Sequence, residues 1–178
     1  MNTWRHHTGR VLVTAAAAAL GLLAAPPTPT RAQTIRASGD FTSTAYVIAI
    51  CTVETSPLAF GAYEPVVTHA TAPLLAVGAV TITCLPGTVA PIGLDLGANA
   101  IGNVRRMYNA AGPAYLTYEI FKDTGRTQVW GNADTSRLTP AAAPNGNPRS
   151  FVVYGIVPAG QDVVAGSYAD TVLATVYF

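Results

Sequence analysis

The amino-acid sequence predicts an all-β fold of the sandwich class, made of short strands joined by turns. Its apolar residues alternate with polar ones over short runs, and Pro, Gly, Asn and Asp separate these runs. Beyond the N-terminal region, no stretch has the periodicity of a long amphipathic helix. The last eleven residues, Tyr168–Phe178, also alternate at every second position. Because chain ends usually fray unless something ties them down, we expect this terminal segment to be docked in a sheet.

The first 32 residues have the pattern of an export signal. Two arginines give a basic start, an alanine- and leucine-rich run occupies residues 11–25, and small residues mark a cleavage position after Ala32. The apolar run is shorter than the roughly 20 residues that a membrane-spanning helix needs. We therefore expect removal of residues 1–32 and no integral membrane segment in the exported chain.

The remaining chain, residues 33–178, has the size of one ordinary domain. It contains all nine acidic residues but only seven of the ten basic ones, so its net charge is −2. A nucleic-acid-binding domain would carry a basic stripe, so we expect no nucleic-acid partner. The carboxylates are scattered, and His69, the only histidine left, has no cysteine cluster or nucleophile motif beside it. These residues predict neither an enzyme, nor a metal site, nor a cofactor.

The strands are predicted from alternation and from the turn residues between them. They lie at residues 45–53, 58–60, 76–84, 91–96, 115–121, 127–130 and 150–156, and in the terminal segment 168–178. Residues 132–149 contain three prolines and an Asn-Gly pair, so they are predicted to form a long loop.

Cys51 and Cys84 are the only cysteines, and both are predicted on the apolar faces of their strands. In an exported protein, two cysteines in this arrangement indicate a disulfide. The bridge would close an interval of 33 residues. The chain-entropy effect of such a bridge is about 3–4 kcal/mol of stabilisation.

Residues 33–43 precede the first predicted strand and have the pattern of a further strand. Ile35, Ala37, Gly39 and Phe41 share one face, and polar residues occupy the other. Two interpretations remain open. The segment is either an edge strand of its own domain or a strand that inserts into a neighbouring subunit, where alternate side chains would fill pockets.

Several stretches of the chain, taken in order, resemble a known family. They are Cys51-Thr52-Val53, SPLAFGAYEP at 56–65, TITC at 81–84, LDLG at 94–97, Arg105-Arg106-Met107, LTYEIF at 116–121, Trp130-Gly131, VYGIVPAGQ at 153–161 and AGSYADTV at 165–172. Together they resemble the spore coat protein U family, whose domain is shared with Csu-type pilins of archaic chaperone–usher pili. The last two stretches and the cysteine pair are the most specific, and the resemblance covers residues 33–178.

The resemblance implies an immunoglobulin-like β-sandwich that lacks its last strand and exposes an apolar groove. It implies that a periplasmic chaperone fills this groove first. An outer-membrane usher would then exchange the chaperone strand for the N-terminal extension of the next subunit, here residues 33–43. The donor side chains would be Ile35, Ala37 and Phe41. The residues on the strand that borders the groove and contacts the chaperone would be Val172, Ala174, Val176 and Phe178.

Five further residues are predicted from their local context. Arg105 and Arg106 are predicted in a loop, where they face solvent or pair with nearby acids. Trp130, which follows Val129 at a strand end, is predicted in the core. Asp95 and Asp170 are predicted to accept hydrogen bonds in turns or at a strand edge.

From the resemblance we expect a structural subunit of a pilus, exported through the periplasm to the cell surface. It would polymerise by donor-strand exchange with identical or different pilins and serve surface attachment or biofilm formation. Two other functions remain open. In a non-fibrous secreted spore-coat or matrix protein, residues 33–43 would fold back into their own domain. In a sugar-binding surface adhesin, the domain itself would bind glycans.

Overall fold

The computed structural model describes residues 38–178. The predicted export signal, residues 1–32, lies outside this part of the chain, as do the predicted donor residues Ile35 and Ala37. Signal cleavage and the roles of these two side chains therefore stay predictions.

The chain divides into two compact units, one ending at Thr44 and the other comprising Ala45–Phe178. In the first unit, residues 38–44 form no helix or strand, and the side chain of Phe41 is 92% exposed. All the regular secondary structure described below belongs to the second unit.

Apart from one turn of 3-10 helix, all the regular secondary structure of the second unit is β-strand, so the predicted all-β class is confirmed. In chain order the strands are β1 (Cys51–Ser56), β2 (Leu74–Cys84), β3 (Ile92–Leu94), β4 (Arg105–Asn109), β5 (Ala114–Phe121), β6 (Arg149–Val157) and β7 (Ala174–Val176). One turn of 3-10 helix, Thr68–Ala70, lies between β1 and β2. A helix with the length and hydropathy of a membrane span is not found in residues 38–178.

The strands form two sheets in which every pair is antiparallel. The larger sheet has the order β1-β2-β6-β5-β4, and β3 pairs with β7 in the smaller one. β5 has two partners, because residues 114–118 pair with β4 whereas residues 119–121 pair with β6.

The alternation that predicts the strands also determines which side chains form the core. The buried members are Val80, Ile82 and Cys84 of β2, Leu116, Tyr118 and Ile120 of β5, and Val153 and Val157 of β6. Trp130 packs with them and has no exposed surface, which confirms its predicted place. Its indole N–H donates to the carbonyl of Ile92 at 2.9 Å, so its polar end is buried with a partner.

The first strand begins at Cys51 and not at residue 45 as predicted. Its partner β2 ends at Cys84, and a turn follows there. Residues 45–50 therefore have no ladder to join, apart from one hydrogen bond from the Leu85 N–H to the Ile50 carbonyl.

Two short strand predictions are also wrong, and one strand is missed. Residues 58–60 follow Pro57, which has no N–H to donate, and they form no ladder. Residues 127–130 make a single bridge, between Val129 and Phe121. Conversely, β4 lies where a loop was predicted.

Gly155 of β6 allows the segment that follows β1 to lie directly on the sheet. A Cβ atom at this position would stand 2.7 Å from the Phe60 ring and 2.8 Å from a methyl group of Leu58. Because such contacts are shorter than real Cβ atoms tolerate, only glycine permits this approach.

We expect Gly155→Ala to lower the free energy of unfolding by about 1–3 kcal/mol, because the new methyl group must displace Leu58 and Phe60. Urea denaturation measures the effect. Gly146→Ala is the matched control, since a Cβ there would meet nothing within 4 Å. Its expected change is less than about 0.5 kcal/mol. Equal stability of the two variants would contradict the packing argument.

Candidate functional site

A groove opens between two segments of the second unit. Its first wall comprises residues 55–65, which include the end of β1 and the segment after it. Its second wall comprises residues 163–174, which lead into β7. In the part of the chain that the structure describes, no backbone hydrogen bond joins the two walls. The groove contains two adjoining cavities of about 430 and 600 Å³.

The two walls run in opposite directions. The smaller cavity is lined from residues 55–60 and 168–174, whereas the larger one is lined from residues 58–65 and 163–168. In the direction of increasing residue number, the first wall runs from the smaller cavity to the larger one, and the second wall runs from the larger cavity to the smaller one. A strand laid between them would be parallel to one wall and antiparallel to the other.

The floor of the groove is formed by core side chains. They are Leu94, Met107, Leu116, Tyr118, Ile120 and Val153. Beside this floor, β1 pairs only with β2, and residues 52–56 are all exposed. An open strand edge next to apolar pockets offers both backbone groups and side-chain contacts to an added strand.

Two aspartates hold the second wall in place by accepting hydrogen bonds. Asp170 accepts from the Tyr118 hydroxyl at 2.7 Å and from the Asn99 N–H at 3.1 Å. Asp95 accepts from the N–H of Leu173 at 2.9 Å. These contacts confirm the predicted roles of both carboxylates. Burial, and then the bond to Asp170, raise the pKa of the Tyr118 hydroxyl, which therefore keeps its proton and remains a donor.

A buried arginine supports the floor from beneath. Arg105 has no exposed surface and forms an ion pair with Glu119. Its guanidinium also donates to three backbone carbonyls, those of Leu94 at 3.0 Å, Asp95 at 2.6 Å and Trp130 at 2.9 Å. The predicted loop position was wrong, because β4 turns this side chain inward, but the predicted pairing with an acid is confirmed.

Arg106 points to the opposite face of β4. Its guanidinium lies 3.9 Å from the centre of the Tyr115 ring, and its Nε donates to the Asn99 carbonyl at 3.0 Å. The two neighbouring arginines therefore differ in environment, since one is buried in the core and the other is half-buried on the outer face.

Tyr63 and His69 form a contact at one end of the larger cavity, which we call the Tyr63 corner. The two rings are stacked with their centres 5.1 Å apart. The Tyr63 hydroxyl donates to the Pro158 carbonyl and accepts from the Gln161 N–H, both at 2.9 Å. The corner therefore connects the first wall to the loop that precedes the second wall.

His69 itself is buried and serves as a hydrogen-bond acceptor. Its Nδ1 accepts from the Glu64 N–H at 2.9 Å, and its carbonyl accepts from the Gly160 N–H at 2.8 Å. Within residues 38–178, no three His, Cys, Asp or Glu side chains converge as a metal site requires. That the protein binds no metal or cofactor stays a prediction.

The structure places the predicted groove-edge residues in different settings. Val172 and Ala174 line the smaller cavity. Val176 lies in β7, where it pairs with Ile92, and Phe178 is 60% exposed just beyond that strand. Contact of these residues with a chaperone stays a prediction.

Cys51 and Cys84 form the predicted disulfide, with their Cα atoms 4.2 Å apart. They are direct partners in the ladder, because Cys51 is the first residue of β1 and Cys84 is the last residue of β2. The bond therefore links the two strands at the point where the chain enters the sheet.

Leu58, Phe60 and Met107 line the groove and are not among the predicted site residues. Leu58 and Phe60 of the first wall follow a proline, and their backbone joins no ladder, so alternation alone does not reveal that they pack on the sheet. Met107 follows two arginines, and only the pairing of β4 with β5 turns its side chain toward the groove.

Comparison with known proteins gives three findings. The family model described as Spore Coat Protein U domain matches residues 37–175. Protein U of Myxococcus xanthus is 34% identical over 181 residues, which cover 95% of this chain and 98% of that protein. A solved structure, described as the CsuC-CsuE chaperone–tip adhesion subunit pre-assembly complex from archaic chaperone–usher Csu pili of Acinetobacter baumannii, matches with a TM-score of 0.55.

The match to the Csu complex has 24% sequence identity and covers 74% of this chain and 40% of the matched chain. At this identity the likeness shows the fold alone. Together with the two antiparallel sheets, it confirms the predicted immunoglobulin-like, pilin-type fold.

Proposed function

The chain belongs to the Spore Coat Protein U domain family, and from this we propose that it is a structural subunit of an extracellular pilus, assembled by donor-strand exchange. One observation carries the proposal. An apolar groove floored by core side chains lies between two antiparallel walls that share no backbone hydrogen bond in the described part of the chain. Such a groove is completed by a strand.

The donated strand would be residues 33–43 of a neighbouring subunit. Its backbone would form hydrogen bonds with the edge of β1 that does not pair with β2. Its alternate side chains, Ile35, Ala37 and Phe41, would enter the groove. Burial of Ile35 and Phe41 would contribute about 1.5–3 kcal/mol each. The high exposure of Phe41 in the single chain supports this role, because burial in a partner removes that apolar surface from water.

Before assembly, the groove would need a temporary occupant. We propose that a periplasmic chaperone supplies it and contacts the strand that carries Val172, Ala174, Val176 and Phe178. An outer-membrane usher would then exchange this occupant for the donor of the next subunit. The predicted export signal at residues 1–32 accords with that route to the cell surface, where the fibre would serve attachment or biofilm formation.

We expect Phe41→Asp to prevent polymerisation while the subunit still folds and binds its chaperone, because a carboxylate cannot enter an apolar pocket without a partner. Heat-resistant ladders of the exported chain on gels measure polymer growth. The matched control is Thr42→Asp, which places the same charge on the opposite face of the donor strand. It should leave the ladders intact, and ladders of normal length from the Phe41 variant would contradict the proposal.

A non-fibrous coat protein is the second candidate, and the family's description as a spore coat domain favours it. In that case residues 33–43 would stay with their own domain. Size-exclusion chromatography of the exported chain, with and without this segment, separates the two functions. A stable monomer that needs neither a chaperone nor a neighbour would support the coat protein, whereas assemblies that vanish on deletion would support the pilus.

A further inference from the structure

We propose that His69 is a positioning residue for the groove, and that protonation of its imidazole weakens capture of the donated strand. The inference rests on the proposed function, because it concerns how firmly the groove holds its occupant. It starts from the Tyr63 corner and from the hydrogen bond that His69 accepts.

Beyond Ser56, the first wall is positioned by its side chains and not by a strand ladder. Residues 57–65 belong to no strand ladder, so side-chain contacts hold them. Among these, the Tyr63 hydroxyl bonds Pro158 and Gln161 across the end of the larger cavity. The Gln161 side chain in turn accepts from the Thr117 N–H at 2.8 Å and donates to its carbonyl at 3.0 Å. The corner thus joins the first wall to β5, whose side chains form part of the floor.

The position of Tyr63 depends in turn on His69. The imidazole stacks on the Tyr63 ring, and its Nδ1 accepts from the N–H of Glu64, the next residue along the first wall. The His69 N–H also donates to the Glu64 carbonyl at 2.9 Å. The Val67 N–H donates to the same carbonyl at 3.3 Å, and the Thr68 hydroxyl donates to the Glu64 carboxylate at 2.9 Å. Four hydrogen bonds therefore close residues 64–69 into a turn, and one of them, the bond to Nδ1, requires a ring nitrogen without a proton.

A proton added to the ring would remove that bond. Both ring nitrogens of a charged histidine are donors, so Nδ1–H would face the Glu64 N–H. The turn would keep its bonds to the Glu64 carbonyl and carboxylate, but the N–H of Glu64, the residue after Tyr63, would lose its acceptor. The Tyr63 ring would then lose part of its support. Because Tyr63 lines the larger cavity, the groove would hold a strand less firmly.

The charged and titratable groups around the imidazole do not replace the lost bond. Tyr63 presents its ring face, which permits stacking in either protonation state. The Glu64 carboxylate, on the same turn, accepts from the Thr68 hydroxyl at 2.9 Å. The 158–161 loop presents only the Gly160 N–H, to the His69 carbonyl. No ion pair joins His69 to a carboxylate among the residues that the structure describes.

The test measures capture of a labelled synthetic peptide of residues 33–43 by the exported chain carrying Phe41→Asp, which cannot donate its own strand. Affinity is compared at about pH 7.5 and about pH 5.5. We expect binding about five- to tenfold weaker at the lower pH, the effect of one lost hydrogen bond. His69→Asn, whose Oδ1 takes the place of Nδ1 and cannot titrate there, should change less than about twofold.

Equal pH dependence in the His69→Asn variant, or none in the chain that retains His69, would overturn the inference alone. Absence of peptide binding even at the higher pH would overturn the proposed function, and this inference with it. If the His69→Asn variant does not fold, a second measurement tests the inference without that variant. In the chain with His69, the NMR signal of the Glu64 amide should shift with the same pH midpoint as the loss of affinity, and an unchanged signal would refute the role of Nδ1.

Discussion

Replacement of Arg105 by methionine is expected to lower the free energy of unfolding by about 3–5 kcal/mol. The guanidinium is fully buried, and its removal would leave three backbone carbonyls without this donor and the Glu119 carboxylate without its counter-charge, with only the Ile120 N–H still bonded to it. Each unpaired acceptor then bears the cost of lost solvation. Chemical denaturation of the exported chain, followed by tryptophan fluorescence, measures the loss.

The neighbouring residue supplies the control for this prediction. Arg106→Met removes the same charge from the outer face of β4, where the side chain is half-buried against Tyr115. We expect it to cost less than about 1 kcal/mol. Adding Glu119→Leu to Arg105→Met should recover part of the loss, because no carboxylate would remain there without its counter-charge. A cost for Arg105→Met no greater than that of Arg106→Met would show that the buried network is not what stabilises the floor.

Loss of the Cys51–Cys84 bridge is expected to cost about 3–4 kcal/mol through the added freedom of the unfolded chain. The bond closes an interval of 33 residues that contains the whole first wall and most of β2. The midpoint of unfolding in urea should therefore fall when the protein is reduced. Urea unfolding of the oxidised chain, with and without dithiothreitol, measures the change.

The double variant Cys51→Ala, Cys84→Ala is the control for the reductant. Its stability should match that of the reduced chain and should not respond to dithiothreitol. If the oxidised and reduced proteins unfold at the same urea concentration, the bridge has no stabilising effect, and the chain-entropy argument fails for this protein.

The strands that could be predicted are those whose inward face is consistently apolar. Val80, Ile82 and Cys84 in β2 alternate with threonines, and this pattern alone locates the strand and its buried side. β4 could not be found in this way, because one of its inward residues is Arg105, whose charge is satisfied only by groups distant in sequence. The start of β1 was predicted too early, because β2 ends at Cys84 and leaves residues 45–50 without a partner strand.

The groove was predictable on one side only. The resemblance implies that Val172 and Ala174 lie on a strand that borders the groove, and both side chains line the smaller cavity. In the first wall, alternation predicts a strand at residues 58–60, but Leu58 and Phe60 lie against Gly155 and join no ladder. Contacts of this kind depend on the tertiary structure, which no local pattern specifies.

The location of the disulfide has a mechanical consequence for a fibre under tension. In the proposed fibre, force applied through the donor segment of a subunit, residues 33–43, would reach the first strand at Cys51. Without the covalent link, the pull would act on the terminal pair of the β1–β2 ladder, and this strand would unzip one pair after another. With it, the load passes directly to β2, which is hydrogen-bonded on both edges. The force would then load the hydrogen bonds of β2 with both of its neighbours, and the edge strand β1 would not separate first.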